Sequence, residues 1–303
     1  MTLSEFRYIV AVAQELHFGR AAKKCFVSQP TLSVAVKKIE EELGVTLFER
    51  HQHEVSITPI GQIIISQAEV VLNETKTLKE LANQNKDGLS GELKLGVIYT
   101  VGPYLLPKLI PVINRQVADL ILIIEEDYTE NLFNKLKAGE IDVAILANPF
   151  DHPGIVTEVL YQEPFMVALP SNHPLTKKKK LKADDLLDDT MLLLKAGNCF
   201  RDQVVKVCPS CISPVGNNTH IQKTLQSSSI ETIRQMVAAG AGITILPSSS
   251  INAQSGLNGL LEYRPFTNPS PYREIIIAYR KSFPGIKAIE LIKKSIANCE
   301  LMT

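Results

Sequence analysis

Six residues between Pro59 and Asn85 set the plan of this chain: Ile64, Ala68, Val71, Thr75, Leu78 and Ala82 recur at steps of four, three, four, three and four. That rhythm keeps one face of a helix turned toward a partner over many turns. A helix running from Thr58-Pro59 through Asn85 would span on the order of 40 Å, and Asp87-Gly88 ends it. Such a seam asks for a partner helix. Ile63 and Val70 add a second apolar strip, which would also let the helix pack on its own domain. With 303 residues, about twice the length of one ordinary domain, two or more domains are expected.

Before the seam, short amphipathic helices alternate with tight turns, beginning with Phe6, Ile9, Val10 and Ala13 on one stripe. Ser28 supplies a hydroxyl cap and Pro30 an early proline, so a helix should start there. Leu32, Val36, Ile39 and Leu43 form its buried stripe and Gly44 closes it, leaving Pro30, Thr31, Val34 and Lys38 facing outward. A helix, a short turn and a second helix opening on Ser28-Gln29-Pro30-Thr31 suit a helix-turn-helix that enters the major groove by the second helix's first residues. Gln29 and Thr31 carry base-reading chemistry, and Arg20, Lys23, Lys24, Lys37, Lys38 and Arg50 are candidates for phosphate contacts. The acidic run Glu40 to Glu42 would point away from DNA. A bland helical interaction domain could show the same periodicity. His51 to Thr58 reads as a turn or small hairpin.

After Leu89 the chain alternates strands and helices. Strands are expected at Leu93–Val97, Leu120–Glu125 and Val143–Leu146, with helices after Pro103 and around Leu132–Lys137, a βαβαβ pattern. A second set has strands near Phe165–Leu169, Met191–Leu194 and Gly242–Leu246 and helices near Phe200–Val207 and Ser229–Ala239. Glu274–Tyr279 and the helix after Pro284 would return to the first lobe, crossing back near Tyr263–Pro271. The divisions are therefore 1–58, a linker helix at 59–88, and 89–303, with lobe I at about 89–162 and 268–303 and lobe II at about 163–267.

Charge excludes some functions. Thirty-two Lys and Arg balance thirty-two Asp and Glu, and 45 % of residues are hydrophobic, which argues against a disordered polyelectrolyte or a bulk nucleic-acid packager. The run Lys177 to Lys180 reads as a solvated loop. Apolar runs such as Leu120–Ile124 fall far short of the ~20 residues that span a bilayer, so no membrane role is expected. Met1 to Glu15 has neither the basic start nor the apolar run of a signal peptide, and five cysteines do not make a disulfide scaffold. A cytoplasmic protein is expected.

Three of those cysteines, Cys199, Cys208 and Cys211, cluster on and after one expected helix; Cys25 and Cys299 sit in helical apolar patterns and read as inert thiols. Cys199 lies at the helix N-terminus, where unpaired N–H groups favour thiolate, with Arg201 two residues away: it is the candidate nucleophile. Cys208 belongs to the buried stripe of Phe200, Val204 and Val207. Nine helical residues rise about 13 Å, whereas a disulfide needs Cα atoms within roughly 7 Å, so joining Cys199 to Cys208 would unwind the helix. A pair of buried small hydrophobes with an accidental neighbour is the plain alternative. A zinc site would use Cys208-x-x-Cys211, but no second close pair completes it, His220 being the nearest distant candidate, and no metal is expected. A thioredoxin-like motif would open a helix after a strand, whereas this one follows a helix.

The motifs His17-Phe18-Gly19-Arg20-Ala21-Ala22, Val27-Ser28-Gln29-Pro30-Thr31-Leu32-Ser33, Leu43-Gly44-Val45, Leu47-Phe48-Glu49-Arg50 and Thr58-Pro59-x-Gly61 closely resemble the DNA-binding domain of LysR-type transcriptional regulators. The resemblance extends over the whole chain. It implies a winged helix-turn-helix, a long linker helix and a two-lobed α/β effector domain of periplasmic-binding-protein type. For DNA binding it points to Ser28, Gln29, Pro30, Thr31, Ser33, Arg20, Lys37, Lys38 and Arg50, and for dimerisation to Ile64, Ala68, Val71 and Leu78. Implied partners are promoter DNA, RNA polymerase and further copies of the chain as a dimer of dimers, a tetramer, with no cofactor.

Lys195 to Gln203 followed by Cys208, together with Thr100 to Pro107 and Glu231 to Gly240, resembles the peroxide-sensing activators within that family. That resemblance implies that Cys199 attacks hydrogen peroxide, becomes a sulfenic acid and is captured by Cys208, and that a cellular thiol reductant resets the bond. It assigns the peroxide pocket to Thr100, Thr129, Asn198 and Asp202. Two positions depart from the pattern. Asn198 stands where the family usually has His, so its amide donates a hydrogen bond without acting as acid or base. Cys211, between Pro209 and Pro214, is an added thiol and an alternative resolving residue. The competing readings are a LysR-type regulator answering a small metabolite held between its lobes and a thiol peroxidase, against which the first sixty residues argue.

Overall fold

The computed structural model describes residues 1–50, 55–83, 89, 91–117, 119–212, 226–227, 229–251 and 259–299. The first unit holds α1 (Leu3–Glu15), α2 (Phe18–Lys24), α3 (Gln29–Leu43), an antiparallel wing of β1 (Phe48–Arg50) and β2 (Val55–Ile57), and α4 (Pro59–Asn83).

Capping explains where these helices begin. Thr2 and Glu5 form a reciprocal box, the Glu5 amide donating to Thr2 Oγ1 at 3.3 Å and the Thr2 amide to Glu5 Oε2 at 2.7 Å. His17 opens α2 by accepting the Gly19 and Arg20 amides on Nδ1. Ser28 caps α3 through the Thr31 amide, and Gly44 ends it in the left-handed region at φ 69°. Thr58 Oγ1 donates to the Thr46 carbonyl at 2.7 Å and accepts the Gly61 amide. A Cβ at Gly61 would collide with the Leu47 carbonyl, so that turn needs glycine.

The core of this unit gathers Ile9, Val12, Leu32, Val36, Ile39, Leu47 and Phe48, and α4 contributes Ile65 and Ala68 to it. That placement narrows the expected seam. Ala68 is only 3 % exposed and Ile64 packs against the same cluster, so both already have a partner inside the head. The second apolar strip does not provide that packing: Ile63 is exposed, and it is the seam residues Ile64 and Ala68, with Ile65, that turn into the head. Val71 is half-buried, and Leu78 is 68 % exposed. Residues 84–88, through which the helix was expected to continue, and the side chain of Ala82 lie outside the described residues.

The second unit begins with β3 (Gly91–Ile98), α5 (Gly102–Gln116), β4 (Leu120–Asp127), α6 (Thr129–Ala138) and β5 (Val143–Ala147), in which β3 pairs parallel with both β4 and β5. Next come β6 (Ile155–Pro170), β7 (Leu193–Leu194), α7 (Cys199–Val207), β8 (Gln226–Ser227), α8 (Ile230–Ala238), β9 (Thr244–Pro247) and β10 (Leu261–Pro265). The chain closes with β11 (Tyr272–Arg280) and α9 (Ile286–Ala297). The two-lobed α/β architecture is present, with one feature the periodicity hid. The strand expected at Phe165–Leu169 is the second half of a single sixteen-residue strand. Its first half pairs with β11 and its second half with β9 and β10, so β6 belongs to the sheets of both lobes. The first half alternates partly exposed residues and carries Glu158, Gln162 and Glu163, which mask a strand signal. Among the described residues, no helix is long and apolar enough to cross a membrane.

Candidate functional site

At the nucleic-acid end, α3 presents Ser28, Gln29, Pro30 and Thr31 to solvent, and Ser33 is half-buried behind them. The Ser28 and Thr31 hydroxyls bond each other at 2.8 Å, which orients Thr31; Gln29 is the longest polar arm at the helix opening. Of the basic side chains expected at phosphates, Arg20, Lys37 and Lys38 have partners on the head yet remain exposed. Arg20 reaches the Glu15 carbonyl at 2.6 Å, Lys37 pairs with Glu41 one turn on, and Lys38 meets Glu5 at 2.9 Å. Arg50 sits on β1, and its side chain lies outside the described residues. The acidic run is engaged too: Glu40 accepts the Leu47 and Phe48 amides and so anchors the wing, while Glu42 takes the Met1 amine.

In the effector unit, the strand ends and helix starts converge on Cys199. It occupies the first position of α7 as a free, half-buried thiol. Asn198 caps that helix, its Oδ1 accepting the Phe200 amide at 3.1 Å, which leaves the side-chain NH₂ as its remaining donor. Thr100 follows β3, Thr129 opens α6, and these two with Asn198 and Cys199 line a small cavity of about 10 Å³, close to the room of one water.

Thr100 is 2 % exposed; its Oγ1 accepts Arg273 Nη1 at 2.8 Å and its carbonyl accepts Nη2 at 3.0 Å. Since that oxygen is already serving as an acceptor, its own hydrogen is free to be donated. Thr129 Oγ1 is buried with no hydrogen-bond partner among the described residues. The cavity therefore offers hydroxyl donors beside a sulfur. Asp202 lies outside the cavity lining: it is exposed and faces Arg201 at 3.8 Å.

The two remaining sulfurs of the cluster differ most from expectation. Cys208 is bonded to Cys211, with Cα atoms 5.3 Å apart, across the short 3₁₀ turn Pro209–Ile212. Neither implied pairing with Cys199 is formed. The reason is geometric: α7 is intact, and its nine residues hold Cys199 about 13 Å along the axis from Cys208, whereas Cys211 is one turn away. Cys208 and Cys211 are 2 % and 5 % exposed within the lobe II core, beside Phe200 and Val204. As a disulfide, neither supplies a thiolate for zinc, and His220 and Pro214 lie outside the described residues. Burial pushes the Cys25 and Cys299 thiols up, which suits inert side chains.

Two polar clusters escaped the sequence reading. Arg273 and Glu163 form a fully buried ion pair at 2.7 Å, with Arg273 also 5.0 Å from the Phe200 ring centroid. No spacing could have announced a pair 110 residues apart. Glu231 joins Arg234 and Tyr104, and Arg234 donates on to Tyr263; the i, i+3 step from Glu231 to Arg234 was the available signal. On another side of α7, a cleft of about 630 Å³ runs between Asn148, Gln203, Lys206 and Glu274.

Residues 3–62 match the bacterial regulatory helix-turn-helix protein, lysR family, and residues 86–297 match the LysR substrate binding domain. The chain belongs to the LysR family. As a LysR-type protein it is a transcription regulator rather than an enzyme. It is 39 % identical over 284 residues to the hydrogen peroxide-inducible genes activator of Pectobacterium carotovorum, covering 94 % of this chain and 92 % of that protein. It is 38 % identical over 296 residues to the DNA-binding transcriptional dual regulator OxyR of Escherichia coli K12, covering 98 % and 95 %. Among solved structures, a full-length OxyR variant from Pseudomonas aeruginosa aligns over 100 % of both chains with TM-score 0.80 and 46 % identity. An H2O2-bound OxyR mutant from Corynebacterium glutamicum aligns over 98 % of this chain and 92 % of that one, with TM-score 0.65 and 33 % identity.

Proposed function

We propose that this LysR-type chain is a DNA-binding transcriptional regulator that senses hydrogen peroxide through Cys199. The observation that carries the reading is the free Cys199 thiol at the start of α7, beside a cavity of about 10 Å³ furnished with Thr100, Thr129 and Asn198. The relatives named as peroxide-inducible activators support it. The Cys199 thiolate attacks one peroxide oxygen; an S–O bond forms, the O–O bond breaks, and the departing hydroxide takes up a proton as water. The Thr100 and Thr129 hydroxyls and the Asn198 amide are placed to donate hydrogen bonds to the peroxide oxygens, which lowers the cost of charge on the departing one. Capture of the resulting sulfenic acid by Cys208 then unwinds α7, and that refolding is the signal.

The output is binding at promoter DNA through Gln29, Thr31 and their neighbours, and recruitment of RNA polymerase there. The working assembly is a tetramer joined through the linker helices, in the cytoplasm, where cellular thiols reset the switch. Cys199→Ser should leave DNA binding intact and abolish the peroxide response, read as promoter-driven transcription before and after a brief peroxide pulse. A response that persists in Cys199→Ser and is elicited instead by a metabolite seated in the 630 Å³ cleft would replace this reading with the small-ligand one.

A further inference from the structure

We infer that Cys208 and Cys211 form a second redox site that takes the disulfide away from Cys199 and returns that residue to its thiol. The inference rests on the peroxide reading above and adds a step to it. Three observations carry it. Cys208, the thiol required to capture oxidised Cys199, is itself bonded to Cys211 while Cys199 is free. The pair lies one short turn apart, whereas Cys199 reaches Cys208 only by unwinding α7. The Ala183 carbonyl oxygen stands 3.6 Å from Cys208 Sγ and 3.9 Å from Cys211 Sγ, so one acceptor serves either thiol when the bond is open.

The steps balance. Cys199 thiolate and peroxide give Cys199 sulfenic acid and hydroxide. The Cys208 thiol then attacks that sulfur, forming the Cys199–Cys208 disulfide and releasing water. Cys211 thiolate next attacks Cys208 Sγ; the Cys208–Cys211 bond forms, the Cys199–Cys208 bond breaks, and Cys199 leaves as thiolate. In sum, one peroxide and the two thiols of Cys208 and Cys211 give their disulfide and two waters. The last exchange is favoured because it lets α7 re-form. Until a dithiol reductant reopens the pair, a further peroxide finds Cys199 with no resolving thiol.

The test uses the full chain, reduced with a dithiol, desalted without air, and given one molar equivalent of hydrogen peroxide, then quenched with acid and alkylated over a time course. Trypsin places Cys199 in residues 196–201 and both other sulfurs in residues 207–223, so the first disulfide cross-links two peptides and the second closes a loop within one. The expected result is a cross-link that rises first and decays while the looped peptide and free Cys199 accumulate, with Cys211→Ser prolonging the cross-link about tenfold or more. A cross-link that persists in the unmodified chain overturns the relay and leaves the peroxide reading standing. Closure of the loop in Cys199→Ser at the unmodified rate also overturns it, since Cys199 would then have no part in making that bond. If neither bond forms and Cys199 stays a thiol, the peroxide reading falls and the relay with it.

Discussion

At the residue scale, the chain works by leaving particular polar atoms unengaged. Among the described residues Thr129 Oγ1 is buried with no partner, and Thr100 keeps a hydrogen to donate because its oxygen accepts from Arg273. In the head, Gln29 projects from the opening of α3, while Lys37 and Lys38 are exposed on the same helix in surface pairs that phosphates can replace. Gln29→Ala should weaken binding to a specific site by about 1–3 kcal/mol with little change on random DNA. Titrations on both DNAs check this; an equal loss on each would remove Gln29 from base reading. Glu5 gives a pH prediction. Its hydrogen bond from Lys38, with help from the Thr2 amide, holds its carboxyl below the usual range although burial opposes this. A carboxylate depressed in the folded state stabilises above its unfolded pKa of about 4.3, and that contribution disappears as pH falls through the folded value. Glu5→Gln can keep the bond from the Thr2 amide on its one oxygen, but it loses the charge and the bond from Lys38, whose amine then faces an NH₂ donor. The head of the variant should therefore melt earlier at pH 7, and the gap should close as the solution is acidified below pH ~4.

At the scale of elements, helix starts were the most readable part of the sequence, because a cap is a local contract between neighbours. Ser28, Pro30 and Gly44 bound α3 as their chemistry requires. The helix expected at Phe200–Val207 starts one residue earlier, at Cys199; its cap, Asn198, was not read from the sequence, although Cys199 was placed at the helix opening. Long-range polar pairs were unreadable: Arg273–Glu163 depends on two strands meeting across the fold, and nothing in either neighbourhood marks the other. The Cys208–Cys211 bond was half-readable, since Cys-x-x-Cys spacing puts two sulfurs within one turn but suits a metal site equally well. The turn between α2 and α3 holds a local conflict of another kind. Phe26 has φ 57° and is 95 % exposed, so a bulky side chain bears the cost of a left-handed backbone with no burial in return. Phe26→Asn, better suited to that region, should stabilise the head by about 0.5–1 kcal/mol in denaturant unfolding. Destabilisation instead would mean that the ring has a packing role within the chain.

At the scale of the whole molecule, the proposed assembly rests on the linker helix. Because Ala68 and Ile64 already belong to the head core, the residues left to meet another chain along the seam are those further along, above all Leu78. Val71→Glu with Leu78→Glu should therefore dissociate the assembly without unfolding the head, lowering the mass seen by light scattering and abolishing high-affinity binding to paired half-sites. Ala68→Glu should instead unfold the head, which circular dichroism would separate from simple dissociation.

The shared strand β6 also limits how this protein can carry a message. A receptor that signals by closing like a clamshell needs slack in the segments joining its halves. Here one joining segment is a continuous ribbon from Ile155 to Pro170, hydrogen-bonded into the sheets at both ends, and Glu163 fastens its midpoint to Arg273 on β11. Bending at that point would break ladder bonds and a buried ion pair together. Under the proposed chemistry at Cys199, the easy outlet of a swinging jaw is denied, and the work of one S–S bond would go into the cheaper deformation, the nine-residue coil of α7. The effector domain behaves as a stiff frame around one fusible link.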